Sequence, residues 1–439
     1  MKKRQRILSA FLLLSIPFPV QAQDTLHYKL NIETMFELAE SNSKSIRTFD
    51  LAEQEAEQAV KVAKNAMLPT LDLSLSASYL GDGWLADRNF SNGTTAPMPH
   101  FGNNFAIEAS QIVYAGGAVS NSISVAELHR QSAYLDKENN RQEIRFLLTG
   151  NYLELYKLHN QSAVYRKNIE QTERLLADIK AKQAEGVALK NDITRYELQL
   201  QSLELALTQL ENSRLIINNR LVTVLGLPLE TVIEVDTTLL DRLPEPLSEA
   251  YWQETGTNTS PILKQAELGV EQSRYNEKIV KAERLPSIAL FAGNYLNGPI
   301  TIEVPPINKN FNYWLVGVKV KFNIASAYTS GKKSGLAKLS TQKAVVREQL
   351  MRDNLQTEVK AAYIRFVESF TTYETQIKSL ELATQNYNVV NNRYLNELAL
   401  ITDMLDASNS KLSAELNVAN ARVNILFNYY NLKKTIGNL

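Results

Sequence analysis

Apolar residues recur along two long stretches of the chain, at intervals that alternate between four and three residues. In the second stretch the series is Leu355, Val359, Ala362, Phe366, Tyr373, Leu380, Ala383, Tyr387, Val390 and Tyr394, with polar Ser369 and Gln376 on the same rhythm. In the first stretch it is Ile144, Leu148, Leu155, Leu158, Tyr165, Ile169, Leu176 and Ile179, with polar Asn151, Ser162 and Thr172 on the same rhythm. This spacing is typical of a coiled-coil seam. The core of an ordinary helical bundle is the alternative.

Prolines are absent from both stretches, between Pro99 and Pro228 and after Pro306. Because proline breaks helices, we predict long helices there, over about 118–185, 192–225, 331–395 and 403–436. A helix from 118 to 185 would be roughly 100 Å long at about 1.5 Å per residue. Helices of ordinary globular proteins are far shorter, so the length argues against an ordinary bundle.

Four shorter segments alternate apolar and polar residues with a period of two. In the first, Leu71, Leu73 and Leu75 face one way, and Asp72 and Ser74 face the other. We predict strands over about 70–80, 104–114, 287–296 and 311–322. About ten residues with this alternation is the pattern of a membrane β-strand, apolar toward lipid and polar toward a lumen. Half-buried strands of a soluble sheet are the alternative.

The two halves of the chain resemble each other. "KNAMLPTLDLSL" (64–75) matches "KAERLPSIALFA" (281–292), and "EGVALKNDITR" (185–195) stands opposite "NELALITDMLD" (396–406). We therefore predict a first structural repeat over 23–226, a linker or equatorial segment over 227–259 and a second repeat over 260–439.

The first residues and the composition indicate an exported protein. A basic start, an apolar stretch from Ile7 to Val20 and small residues around Ala22 predict a signal peptide over 1–22. The chain has no cysteine, so its stability must come from packing or oligomerisation rather than disulfides. With 47 basic and 47 acidic residues, nothing in the charge suggests nucleic-acid binding.

Four membrane strands are too few to close a barrel. An open sheet edge cannot lie in hydrocarbon, and bilayer-spanning barrels have about eight strands or more. If these strands span a membrane, several chains must therefore pool them. Two chains would supply about eight strands and three about twelve.

Two aspartates, Asp403 and Asp406, lie three residues apart in "ITDMLDAS" (401–408). This spacing places both carboxylates on one face of a helix. They could form a cation-attracting group, or they could serve the start of a helix, with Asp403 as N-cap and Asp406 in the first turn. The two interpretations are compatible.

The whole mature chain resembles the TolC-like outer-membrane efflux protein family. The resemblance rests on the duplicated Leu-Pro before each first strand and on four further segments: "SQIVYAGGAVSN" (110–121), "VKFNIASAYTSGKK" (320–333), "RYLNELALITDMLDAS" (393–408) and "LKKTIG" (432–437). It implies a mixed, mostly α fold and a homotrimer, in which a 12-stranded outer-membrane β-barrel joins a periplasmic helical barrel. Such proteins are passive exit ducts that work with an inner-membrane transporter and a periplasmic adaptor in tripartite efflux or type I secretion.

The resemblance also assigns roles at the periplasmic mouth. Asp403 and Asp406 would ring the mouth as a selectivity filter, and Tyr394 with Asp192 would lock it. The arginine that the family carries five residues after this tyrosine is Ala399 here, so the lock would be built differently, and Arg195 is a candidate charge partner of Asp192.

The resemblance further implies that the helix tips contact the adaptor. These tips comprise Gly186, Val187, Ala188 and Leu189 in one half and Leu398, Ala399 and Leu400 in the other. A plain tight turn between helices is the alternative for them.

No cofactor or metal is expected, because the four histidines form no metal-spaced pair and no phosphate loop or nucleophile motif occurs. The chain is therefore not predicted to be an enzyme. The alternatives are a periplasmic coiled-coil adaptor or, more remotely, a carboxylate-dependent enzyme. The cargo and the particular adaptor and pump do not follow from the residues.

Overall fold

A computed structural model describes residues 26–236, 238, 243–304 and 306–439. The predicted signal peptide lies outside these residues. The described elements, in chain order, are β1 (His27–Leu30), α1 (Ile32–Asn42), α2 (Lys44–Lys64), β2 (Thr70–Tyr79), β3 (Gly83–Leu85), β4 (Thr94–Ala96), β5 (Phe101–Ala115), α3 (Ala118–Ala184), α4 (Lys190–Leu225), β6 (Val232–Val235), α5 (Glu249–Thr259), α6 (Pro261–Ala282), β7 (Ser287–Gly298), β8 (Phe311–Lys321), α7 (Ser326–Leu395) and α8 (Ile401–Thr435).

The predicted long helices are present as α3, α4, α7 and α8. The 67 residues of α3 and the 70 of α7 each extend for about 100 Å. Helix α7 begins at Ser326, five residues before the expected start, while α4 and α8 each begin two residues early. Every residue of both predicted seams is buried or half-buried, because α3 packs along α4 and α8 and α7 packs along α8. Within the described residues, none of the helices combines the length and apolar composition needed to span a bilayer.

The four alternating segments form one antiparallel sheet in the order β2-β5-β7-β8. Its register places Leu73 opposite Ile107 and Leu290 opposite Val318. Residues that are paired across strands point to the same side of a sheet, so the apolar positions of neighbouring strands form one largely apolar face. No part of the described chain covers this face: Leu71 is 73% exposed and Val316 is 70% exposed.

The central pair β5–β7 joins the two halves of the chain, whereas β2 and β8 are the edges. Neither edge strand pairs with any further strand among the described residues. A small hairpin, β3–β4, lies in the connection between β2 and β5. Two rows of backbone donors and acceptors are thus left open at opposite sides of the sheet.

A compact core lies at the middle of α3 and the C-terminal end of α4, where β1 pairs in parallel with β6. Buried residues from β1, α1, α3, α4 and β6 pack together there: Leu30, Ile32, Met35, Ala39, Leu148, Tyr152, Leu155, Leu221, Val222, Leu225 and Ile233. A second core joins α5 to the middle of α7 and to the C-terminal part of α8 through Trp252, Val359, Phe366, Ile425 and Leu432. The two cores together form a belt, at which α3 and α7 are fastened at mid-length and α4 and α8 end.

The same order of elements occurs twice, as two helices, a strand hairpin and two long helices. Helices α1 and α5, which open the first and the second half, have equivalent N-caps. The Asn31 side chain accepts a hydrogen bond from the Thr34 backbone at 2.7 Å, and the Ser248 side chain accepts one from the Tyr251 backbone at 3.4 Å. The second copy of this order thus begins at Ser248, inside the segment that sequence analysis assigns to the linker.

Candidate functional site at the helical tips

The long helices are joined in pairs by two tight turns at the tip far from the sheet. Residues 185–189 connect α3 to α4, and residues 396–400 connect α7 to α8. Gly186 has φ +81° and Glu397, its counterpart in the second half, has φ +63°. Glycine adopts this left-handed conformation freely, whereas glutamate does so rarely. The two turns share one backbone design although their sequences differ.

Asp192 and Asp403 occupy equivalent positions, each the third residue of its helix. The Asp192 carboxylate accepts a hydrogen bond from the Leu189 backbone at 3.2 Å, and Asp403 accepts one from Leu400 at 3.1 Å. Each carboxylate thereby satisfies a backbone N–H at the start of the helix, where the helix dipole also favours negative charge. The interpretation of Asp403 as the N-cap is wrong by three residues, because Leu400 is the N-cap.

Asp406 lies one turn further along α8, and its side chain is exposed like that of Asp403. It is not needed to start the helix, since Asp403 already does this. The two carboxylates thus lie next to each other on the solvent side of α8.

A cleft of about 370 Å³ lies between the two turns. It is lined by Lys182, Val187, Ala188, Leu189, Asn191, Asp192, Arg195, Tyr394, Glu397, Ala399, Leu400, Ile401 and Thr402. The structure therefore brings Asp192 and Tyr394 from opposite halves to one cleft, together with most of the predicted tip residues. Gly186 and Leu398 lie in the turns beside it, and Asp403 and Asp406 lie on α8 outside its lining.

Tyr394 is half-buried in the last turn of α7. It packs against an apolar cluster to which all the other long helices contribute, with Leu176 and Ile179 from α3, Tyr196 from α4 and Ile401 from α8. Burial raises the pKa of Tyr394, and the nearby carboxylates of Asp192 and Asp178 raise it further. The hydroxyl therefore stays protonated and neutral beside Asp192.

Sequence reasoning missed two residues of this site. The Lys182 Nζ atom lies over the Tyr394 ring, 5.1 Å from its centroid. Tyr196 is 2% exposed, and its hydroxyl has no hydrogen-bond partner in the described chain. Burial raises the pKa of Tyr196 too. Tyr196 continues the apolar pattern of α4, but nothing in the sequence indicates that Lys182 reaches the other half.

Arg195 also lines the cleft, but among the described residues its guanidinium forms no salt bridge with Asp192. The suggested pairing of these two side chains is therefore not present. The Asp192 carboxylate instead bonds the backbone of its own turn.

The turns present apolar side chains to solvent. Leu189 is 70% exposed, Leu398 67% and Leu400 69%, and Val187 is also largely exposed. Such clustered exposure of large apolar residues usually marks a surface that contacts a partner.

Comparison with known proteins agrees with this architecture. Residues 35–227 match the model of the family described as "Outer membrane efflux protein". Outer membrane protein TolC of Vibrio cholerae is 21% identical over 421 residues, which cover 93% of this chain and 91% of the relative. Proteases secretion protein PrtF of Dickeya chrysanthemi is 21% identical over 354 residues, covering 76% of this chain and 71% of the relative.

Solved structures share the fold. The outer membrane protein VceC of Vibrio cholerae superimposes with a TM-score of 0.77 at 15% identity, covering 92% of this chain and 96% of VceC. CusC superimposes with a TM-score of 0.75 at 18% identity, covering 94% of both chains.

The chain thus resembles the outer membrane efflux protein family, whose model matches residues 35–227. It is an outer-membrane channel that extends into the periplasm and serves efflux or secretion, and it is not an enzyme. The alternative of a periplasmic adaptor is not favoured, because the outer membrane proteins TolC and VceC resemble the chain over more than nine-tenths of its length.

Proposed function

We propose that three copies of this chain close one barrel and one tunnel, which together conduct cargo from the periplasm to the exterior. The observation that carries this proposal is the four-stranded sheet with two unpaired edges and an exposed apolar face. In a bilayer both edges must be paired, and a second copy offers β8 to pair with β2. Three copies of four strands give a closed barrel of twelve strands.

The long helices support the same assembly. Several large apolar side chains on α4 and α7 are exposed in the single chain: Leu198, Leu205, Leu215, Ile216, Ile364, Leu382 and Val389. Neighbouring copies would cover these residues, which lie too far apart along the helices for one small partner. The helices would then form a wall around a water-filled bore.

The helical tips would form the periplasmic mouth of this bore. Around a threefold axis, Asp403 and Asp406 of three chains would make a ring of six carboxylates, which would attract cations and most strongly multivalent ones. Tyr394 and Asp192 would hold the mouth closed at rest, because both line the cleft between the two helical hairpins of each chain.

The exposed apolar tips, from Gly186 to Leu189 and from Leu398 to Leu400, would contact a periplasmic adaptor. The adaptor would connect the channel to an inner-membrane transporter, which supplies the energy. Conduction through the channel itself would be passive.

Cysteine cross-linking tests the assembly, because the chain has no cysteine of its own. Ser74→Cys on the edge strand β2 is combined in turn with Gly317→Cys, Lys319→Cys or Lys321→Cys on β8. All four introduced cysteines would face the same, largely polar side of the sheet. On oxidation in outer membranes, one combination should give a ladder of covalent dimers and trimers that ends at three chains.

Ser74→Cys alone is the matched control, and it should give no ladder beyond two chains. A protein that stays monomeric in every combination, or fractionates as a free periplasmic monomer, would contradict the barrel. An unmodified sample should migrate as an oligomer that only boiling dissociates.

A further inference from the structure

Lys182 extends from the last turn of α3 and reaches the second half of the chain. Its Nζ atom is 5.1 Å from the centre of the Tyr394 ring, in the range where a cation is attracted by an aromatic face. Lys182 is half-buried, so this attraction is screened less by water than at an open surface. The contact joins α3 to α7, which belong to different helical hairpins.

The equivalent residue of the second half has a different role. Lys182 accepts a backbone hydrogen bond from Val187 at 2.9 Å, and Arg393 accepts one from Leu398 at 2.7 Å, so the two residues stand at the same point of their turns. The Arg393 guanidinium then donates to the Leu398 carbonyl at 3.2 Å, within its own turn. The Lys182 side chain instead crosses to the other half. The contact is thus not a by-product of the turn design.

The other charges of the cleft do not supply this connection. The Asp192 carboxylate bonds the backbone of its own turn. Arg195 and Glu397 line the cleft, but neither forms a salt bridge across it among the described residues, and Ala399 carries no charge. Among these residues, Lys182 provides the charged contact between the hairpins at the mouth.

We propose that Lys182 is a gate-positioning residue: its ammonium group, placed over the Tyr394 ring, holds the α7–α8 hairpin against the α3–α4 hairpin in the closed mouth. This inference rests on the proposed gate. It deepens that gate by assigning it a cation that acts on the face of the tyrosine ring and not on the hydroxyl. Opening the mouth separates the hairpins and breaks the contact.

Conductance of the reconstituted full-length trimer in planar bilayers tests this role. Lys182→Met keeps the aliphatic length and removes the charge in all three chains, and it should raise the resting open probability about tenfold or more, as expected for loss of three cation–π contacts. Lys182→Arg keeps the cation and should behave like wild type. Lys411→Met is the matched control, because Lys411 lies 4.3 Å from the Tyr387 ring but joins only α8 to α7. It should leave the open probability unchanged.

A double-mutant comparison separates the ring from the hydroxyl. Lys182→Met should still act in a Tyr394→Phe background, which keeps the ring, and should have no further effect in a Tyr394→Leu background. Heat-resistant migration of each variant shows that it assembles.

An open probability for Lys182→Met equal to wild type, with Tyr394→Leu still raising it, would overturn the role of Lys182 and leave the gate intact. The role of Lys182 would also be overturned, with the gate intact, if Lys182→Met raised the open probability as much in the Tyr394→Leu background as in wild type. Wild-type channels that are fully open at rest would overturn the gate itself.

Discussion

The hydroxyl group of Tyr152 connects three segments of the belt formed by the two helical cores. It is fully buried in α3, donates a hydrogen bond to the Leu30 carbonyl at 2.7 Å and accepts one from the Asp236 backbone at 2.8 Å. These bonds connect α3 to β1 and to the end of β6. Burial raises the pKa of Tyr152 to about 12.

Tyr152→Phe should destabilise the protein by about 1–3 kcal/mol, because it leaves a buried carbonyl and a backbone N–H without their partner. The midpoint of thermal unfolding in detergent should fall accordingly. Tyr134→Phe is the control, since Tyr134 is 46% exposed on the same helix, and a change within about 0.5 kcal/mol is expected. Equal midpoints for Tyr152→Phe and wild type would contradict the role of the hydroxyl.

The raised pKa adds a pH dependence with a definite sign. The folded state holds the Tyr152 proton more tightly than the unfolded state, whose tyrosine pKa is about 10. This contribution to stability is complete below about pH 10 and is lost as the pH rises from there to about 12. The loss of stability between about pH 10 and about pH 12 should be smaller in Tyr152→Phe than in wild type.

Among the structural elements, the ends of the helices depend most on single residues. Helix α4 ends at Gly226, which has φ +66°, and the Leu227 backbone bonds the Val222 carbonyl at 3.0 Å. A Cβ atom at Gly226 would lie 2.9 Å from the Cβ atom of Asn42, whose amide bonds the Leu225 carbonyl. The turn therefore needs glycine both for its conformation and for the close approach of α1.

Gly226→Ala should lower the stability by about 1–2 kcal/mol through the left-handed conformation alone. Gly335→Ala is its control within α7, where φ is not positive and a Cβ atom would meet open space. There alanine should raise the stability by about 0.5–1 kcal/mol, because it loses less backbone entropy on folding. Unfolding midpoints that shift in the same direction for both variants would contradict this account.

The elements themselves were largely predictable. Both seams, from Ile144 to Ile179 and from Leu355 to Tyr394, are buried or half-buried along their whole length. The early starts of α4 and α8 reflect capping: each carboxylate predicted to begin a helix instead bonds the N-cap backbone from its third position. Strands β1 and β6 were missed, because four residues are too few for their alternation to be recognised.

For the whole molecule, the proposed ring of Asp403 and Asp406 makes the channel sensitive to multivalent cations. Replacing both by Asn removes the charge and keeps an oxygen that can cap the helix, so the mouth should keep its shape. Block of conductance by a trivalent ammine cation should weaken about tenfold or more, because attraction by six neighbouring carboxylates is lost.

Glu185→Gln provides the matched control, since Glu185 is an exposed carboxylate at the same tip but outside the proposed ring. The trivalent cation should block the conductance of Glu185→Gln as strongly as that of wild type. If the Asn pair were blocked as strongly as wild type, the proposed ring would be wrong, and only the helix-starting role of Asp403 would remain.

The sequence by itself determined the long helices, their seams and the alternating strands, because their periods depend only on local chain geometry. The repeat also marked Asp192 and Asp403, because they occupy matching positions of the two halves, whereas Tyr394 followed from the resemblance to the family. Only the tertiary structure decided that β5 pairs with β7, that Tyr152 joins β1 to β6, and that Lys182 lies over Tyr394. These contacts join residues far apart in the chain, and a periodic pattern states which face of an element is buried but not which distant residue covers it.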